Sequence, residues 1–254
     1  MIIDAHAHVH DPVETHLALL DEAGVDRGVL FATRPHPERA TDLESLRKEM
    51  SALDAALSGR AKGYEDAWRE LDVALENDRF IGFLSVPLDG EDAEELVERE
   101  VVARGMHGIG ELTPPPGGAG RIEPVLRAAA DHRLPVVVHG SAPTTADDLR
   151  TLAELSRRYP QAPLVVSQLG GLNWMQAIEL VRDTPSMYLE LSTASIVFSV
   201  RLAVQEIPER TLFGSDAPYG DPVLARATVE RVTRPGEVRD RVLGGTAASL
   251  LGLG

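Results

Sequence analysis

The chain contains no cysteine. That excludes a disulfide framework, Cys-based zinc sites, iron–sulfur clusters and thiol catalysis. With 254 residues, the chain can bury a core without such staples. Basic residues are also scarce: 25 Lys and Arg stand against 40 Asp and Glu, a net charge of −15. Nonspecific nucleic-acid binding needs clustered Lys and Arg, so it is not expected. The same charge balance argues against docking on an anionic membrane. No run of 18 apolar residues occurs, so no transmembrane helix is expected. Met1–His6 shows no basic region followed by an apolar stretch, so no signal peptide is expected and the cytoplasm is the default location. Low-complexity segments, repeats and domain boundaries are absent too. The Pro/Gly-rich stretch 114–120 reads as a long loop, not a linker. One domain over 1–254 is the expectation.

What is present is an alternation. Strand-like apolar runs occur at 2–8, 28–32, 80–86, 108–112, 135–140, 163–169, 187–191 and 211–215. Helix-like stretches lie between them. In 147–158, Leu149, Leu152 and Leu155 recur three apart; in 173–182, Trp174, Ile178 and Val181 follow at +4 and +3. The stretch 91–104 opens with acids and ends near Arg99 and Arg104, as the helix dipole prefers. Runs apolar throughout, such as Val136-Val137-Val138, suggest parallel strands covered on both faces. Eight βα units in a chain of this size point to an α/β, single-domain TIM (β/α)8 barrel, with room for distortion. The alternative is an open doubly wound sheet, but its Gly-rich phosphate fingerprint is missing after the first run. Residues 37–79 are longer than one helix needs. They read as two helices broken near Ser58-Gly59-Arg60, capping one end of the barrel.

The first run ends Asp4-Ala5-His6-Ala7-His8. Alternate residues of a strand share a face, so His6 and His8 point the same way and can chelate one metal. Two polar residues at a strand end would look the same. Other strand ends add weight: Glu111 closes the fourth run, His139 the fifth and Asp216 the eighth. A TIM barrel gathers its C-terminal strand ends into one rim. Three histidines and two carboxylates on that rim have the composition of a metal site.

These phrases, IDAHAH, GIGEL, PVVVHGS, LGGLNW and LFGSDAPYGDP, resemble the amidohydrolase superfamily, and more narrowly its amidohydrolase-2 branch of decarboxylases and hydrolases of aromatic acids, pyrones and lactones. The resemblance runs nearly end to end. It implies His6, His8 and Asp216 as ligands, with His139 and Glu111 completing or flanking the shell. One divalent ion follows, Zn²⁺ foremost, with Mn²⁺ or Fe²⁺ also suited to imidazole and carboxylate. One departure stands out. The family usually carries a histidine on strand six, where this chain has Gln168. Glutamine exchanges hydrogen bonds but takes no proton near neutral pH. That substitution, with no lysine on strand four, implies one metal, not two.

The implied chemistry is hydrolysis of a C–O or C–N bond in a small carboxylated or cyclic substrate. A metal-activated water attacks, Asp216 takes its proton, and the metal or His139 polarises the substrate oxygen. Nonoxidative decarboxylation is the alternative within the branch. A retired barrel that only binds a small molecule is the alternative outside it. Gln168, Arg34, Trp174 and Tyr219 are candidate substrate contacts. Arg34 suits a carboxylate, or is a solvated loop residue; Trp174 walls a pocket, or belongs to the core. Asp4 is expected on the inward face with His6, either holding a ligand histidine or as a polar residue low in the barrel. Ser215 should face away from the site. His10, His16 and His132 read as structural or solvated. The resemblance also implies a homodimer.

Overall fold

The run Val136–Val138 shows in miniature why the chain closes on itself. Val136 and Val138 pack against the helices, whereas Val137 packs into an interior cluster. A strand apolar on both faces needs cover on both. The computed structural model describes residues 1–33, 35–57, 64–88 and 93–253. In it, β1 (Ile3–His8), β2 (Arg27–Phe31), β3 (Phe80–Leu84), β4 (Gly108–Leu112), β5 (Val136–Val138), β6 (Leu164–Val166), β7 (Met187–Glu190) and β8 (Thr211–Leu212) form one sheet in chain order. Neighbours pair in parallel throughout. The edge after β8 returns to β1: Ala5 N donates to Phe213 O at 2.9 Å, Asp216 N to His6 O at 2.7 Å and His8 N to Ala217 O at 2.7 Å. The eight runs therefore make a single-domain TIM barrel, and the open sheet is not formed.

Between the strands lie α1 (Val13–Ala23), α2 (Leu43–Leu57), α3 (Tyr64–Ala74), α4 (Ala93–Leu96), α5 (Glu123–His132), α6 (Ala146–Arg158), α7 (Trp174–Arg182), α8 (Val197–Glu206), α9 (Pro222–Val232), α10 (Glu237–Asp240) and α11 (Thr246–Leu250). Residues 37–79 hold two helices, α2 and α3, as expected; the anticipated break at Ser58-Gly59-Arg60 lies outside the described residues. Among the described residues of the stretch expected as one helix over 91–104, α4 is α-helical and the chain then widens to a π-helical turn over Val97–Val102. Thr145 and Asp148 cap α6 reciprocally. Asp148 also accepts from Gly117 N at 3.0 Å and Ala119 N at 3.1 Å, which pins the Pro/Gly-rich loop after β4. At the opposite mouth, Ala247 of α11 joins the interior cluster, flanked by Leu250 and Leu251, and stoppers the barrel.

Two irregular strands depart from simple alternation. On β1, Ile3 and Ala5 pack into the interior and Ala7 packs outward. Strict alternation from Ala5 would turn His6 away from the lumen. The β1–β2 register slips between Asp4 and Ala7, and the slip brings His6 back inside, edge-on to Phe31 with ring centroids 4.8 Å apart. The β4–β5 register slips likewise between Ile109 and Leu112. Both residues pack outward, so Glu111 faces the lumen by virtue of the irregularity. Bulges of this kind re-aim side chains beside active sites. The expectation that Asp4 shares a face with His6 is corrected by the same slip. Asp4 turns to the β8 side, accepting from Ser215 N at 2.9 Å and Ser215 Oγ at 2.5 Å. Ser215 does face away from the lumen, as its alternation with Asp216 predicts.

Candidate metal centre at the strand ends

Buried side chains from β1, β4 and the segment after β8 meet at the C-terminal rim. His6 Nε2 lies 3.5 Å from Asp216 Oδ1, and His8 Nε2 lies 3.3 Å from the same oxygen. His6, His8 and Asp216 each offer one ligand atom within 4.8 Å of the others. Glu111 stands beside them, 3.8 Å from His6 Nε2 and 4.0 Å from His8 Nε2. Asp216 reaches this position in a left-handed backbone conformation, φ 60°. Aspartate tolerates that region better than most residues.

His139 comes in on β5 but does not face the cluster directly. Its Nδ1 is 3.2 Å from Glu111 Oε1, and its Nε2 donates to Ala142 O at 3.0 Å. Burial opposes charge on this ring, but Glu111 and the Ala142 carbonyl outweigh it and raise its pKa. Burial likewise opposes ionisation of Glu111, yet His139 and His6 hold its carboxyl well below the usual range. His6 resists protonation through burial, but Glu111, Asp216 and Glu190 pull its pKa up to about 10. The lumen is thus a buried region with an excess of carboxylates seeking a cation.

Gln168 sits where the strand-six side chain enters. Its Nε2 donates to Asp216 Oδ2 at 3.2 Å and lies 3.5 Å from Glu111 Oε1, while its Oε1 accepts from Ser141 N at 3.2 Å. It therefore orients two acids and leaves Asp216 Oδ1 turned toward the histidines. Tyr219 packs edge-on to His8 at 5.6 Å, and burial pushes its hydroxyl pKa up. Trp174 lies elsewhere. Its ring meets Phe198 at 5.7 Å, and it packs half-buried against the core cluster, the second of its two expected readings. Arg34 lies outside the described residues. Asp4 also accepts from His6 N at 3.1 Å, so it holds backbone, not a ligand ring. Burial raises its pKa to about 7 against the Ser215 hydrogen bonds.

Two inward residues escaped the sequence reading. Ser167 donates its Oγ to Glu111 Oε1 at 2.7 Å. Glu190, fully buried, accepts from His6 Nδ1 at 3.1 Å. A signal for Glu190 was present: in Met187-Tyr188-Leu189-Glu190-Leu191, the three outward apolar residues alternate with Tyr188 and Glu190. A lone acid in an apolar strand, on the lumen phase, marks the rim.

The amidohydrolase family model Amidohydro_2 matches residues 3–253. The chain belongs to this family. No curated protein matches the sequence. Among solved structures, a dihydroxybenzoic acid decarboxylase from Polaromonas, with bound manganese and the inhibitor 2-nitroresorcinol, is 17% identical with TM-score 0.67, covering 99% of this chain and 97% of that one. An amidohydrolase from Burkholderia multivorans with bound zinc is 16% identical with TM-score 0.65, covering 99% of both chains. A probable 2-pyrone-4,6-dicarboxylic acid hydrolase from Acinetobacter baumannii, with citric acid bound, is 16% identical with TM-score 0.61, again over 99% of both chains. These likenesses carry the barrel fold. Family membership makes this amidohydrolase-family protein an enzyme of the hydrolase or decarboxylase kind.

Proposed function

We propose that this amidohydrolase-family enzyme is a mononuclear metal-dependent hydrolase of a small carboxylated or cyclic substrate, cleaving a C–O or C–N bond. One observation carries the metal reading. With Nδ1 of His6 held by Glu190 at 3.1 Å, Nε2 faces the Asp216 carboxylate oxygen Oδ1 3.5 Å away. Both atoms are buried and neither has a hydrogen-bond partner. The surrounding carboxylates demand a positive charge at this point, which a divalent ion supplies in place of the ring proton. His6, His8 and Asp216 would hold the ion, with Glu111 beside them, and the imidazole–carboxylate donor set suits Zn²⁺, Mn²⁺ or Fe²⁺. The bound ion supplies Lewis-acid polarisation and an acidified water.

The remaining chemistry belongs to the side chains. Asp216 is the proposed general base: Oδ1 faces the ion between the histidines, and Oδ2, oriented by the Gln168 amide, keeps a lone pair to receive the proton of the attacking water. His139, raised in pKa and tethered between Glu111 and Ala142 O, is the proposed electrophile for the substrate oxygen. Gln168 and Tyr219 are the proposed substrate contacts from this side of the rim. Gln168 cannot shuttle a proton, so the proton cycle runs through Asp216. Decarboxylation is the second reading, because structures of the same fold and extent include decarboxylases.

Elemental analysis tests the metal reading. The purified protein should hold about one equivalent of a divalent ion, lost in the His6→Ala/His8→Ala variant. No uptake by wild type after incubation with Zn²⁺ or Mn²⁺ would sink the reading. With metal present, turnover of lactones and amides against release of CO₂ from aromatic acids separates hydrolysis from decarboxylation.

A further inference from the structure

We propose that Glu190 is the positioning residue of the centre: its carboxylate sets the tautomer and orientation of His6 and ties that ring to the Gln168 segment. The inference rests on the metal-centre reading. Glu190 receives only donors. Its Oε2 accepts from His6 Nδ1 at 3.1 Å, from Gln168 N at 3.1 Å and from Ser192 Oγ at 2.7 Å. Its Oε1 accepts from Ser192 N. The side chain therefore joins β1, the turn after β6 and the turn after β7 through one fully buried group.

Both tethered groups matter to the centre. The His6 ring can present Nε2 as a lone pair only if its proton stays on Nδ1, and Glu190 is the acceptor that keeps it there. The Gln168 backbone is left-handed at φ 53°, opening a left-handed run through Leu169, Gly170 and Gly171. The bond from Gln168 N to Glu190 holds the first residue of that run, and its side chain is the one that orients Asp216.

Gly214 supplies an independent observation. A Cβ there would overlap the Glu190 carboxylate, 2.8 Å from its Cδ and within 2.9 Å of His6 Cβ. The glycine before Ser215-Asp216 thus makes room for the contact between Glu190 and His6. On this reading, the Gly of the Gly-Ser-Asp phrase serves its neighbouring strands, β7 and β1, not its own turn.

The test is a double-mutant cycle read by Zn²⁺ affinity, using competition with a chromogenic chelator. Glu190→Ala should weaken binding about 10–100-fold. Glu190→Gln should also weaken it, because its amide N–H groups would face donors. Gly214→Ala alone should weaken binding by a similar factor. In the Glu190→Ala background, Gly214→Ala should cost less than it does alone, since the carboxylate it displaces is gone and only the His6 Cβ contact remains. Co²⁺-loaded Gly214→Ala should show an altered visible absorption spectrum, reporting a rotated ligand that a loss of stability alone would not produce. If Glu190→Ala fails to fold, Ser192→Ala removes one donor and leaves the acid; a several-fold loss is expected. Wild-type affinity in these variants, or strictly additive effects, overturns the proposal. Failure of wild type itself to bind Zn²⁺ would overturn the metal reading instead.

Discussion

At the residue scale, Asp216 and Gln168 divide the work at the rim. Asp216 presents one oxygen to the histidines and gives the other to the Gln168 amide. The residues are therefore expected to respond differently to substitution. Asp216→Asn replaces an anionic oxygen with a neutral amide and should lose the bound metal, measured as ion per chain by elemental analysis. Gln168→Ala removes a neutral donor and should retain about one equivalent. Equal metal loss in both would mean that Gln168, not the acid, organises the centre. His6, His8, Glu111, His139 and Asp216 were legible because each is a titratable residue ending an apolar run. Glu190 and Ser167 were overlooked: Glu190 stands like Glu111 near the end of its run but in no recognised phrase, and Ser167 looks like an ordinary serine.

At the element scale, irregularity does the placing. β1 and β4 each slip register where their site residue turns inward. Gly110 belongs to the β4 irregularity, at φ 147°, where a Cβ would sit 2.8 Å from Val137 O and 3.0 Å from Val137 Cβ. Gly117, in the loop that follows, is also left-handed at φ 71° but has open space around the missing Cβ. Gly110→Ala should therefore cost at least about 2 kcal/mol, from conformation and overlap together. Gly117→Ala should cost about 1 kcal/mol, from conformation alone. Urea denaturation of both variants checks this; equal costs would remove the packing argument for the bulge. Period-two reasoning could not anticipate either slip, because a bulge is a pairing between two strands and leaves no mark in one strand's alternation.

At the scale of the whole molecule, acid sensitivity follows from burial. His16, on α1, is almost fully buried, stacked on His10 at 4.2 Å and tilted against Phe80 at 5.1 Å. Burial and the neighbouring His10 lower its pKa from 6.5 to about 3. The unfolded chain binds a proton at this residue once the pH falls below about 6.5, while the folded chain stays neutral there until about 3. Its contribution to stability is thus present above about 6.5 and is lost as the pH falls toward 3, by up to about 1.4 kcal/mol per pH unit. His16→Leu should flatten the loss of stability between pH 6 and 4 by about that slope, measured by urea denaturation at several pH values. An unchanged slope would show that this burial does not govern the acid limb.

The sequence by itself determined the barrel and most of its rim. Eight apolar runs with helices between them leave few ways to cover both faces of parallel strands, and the polar residue that ends such a run must lie at an edge. Only the tertiary structure decided which polar groups meet. It turned His139 onto Glu111 and the Ala142 carbonyl, set Trp174 against Phe198, and sent Asp4 to Ser215. It also brought Glu190 to His6 across 184 residues of chain. A hydrogen bond needs a partner within about 3 Å, and that proximity is a property of strand closure and register, which alternation along one strand does not encode.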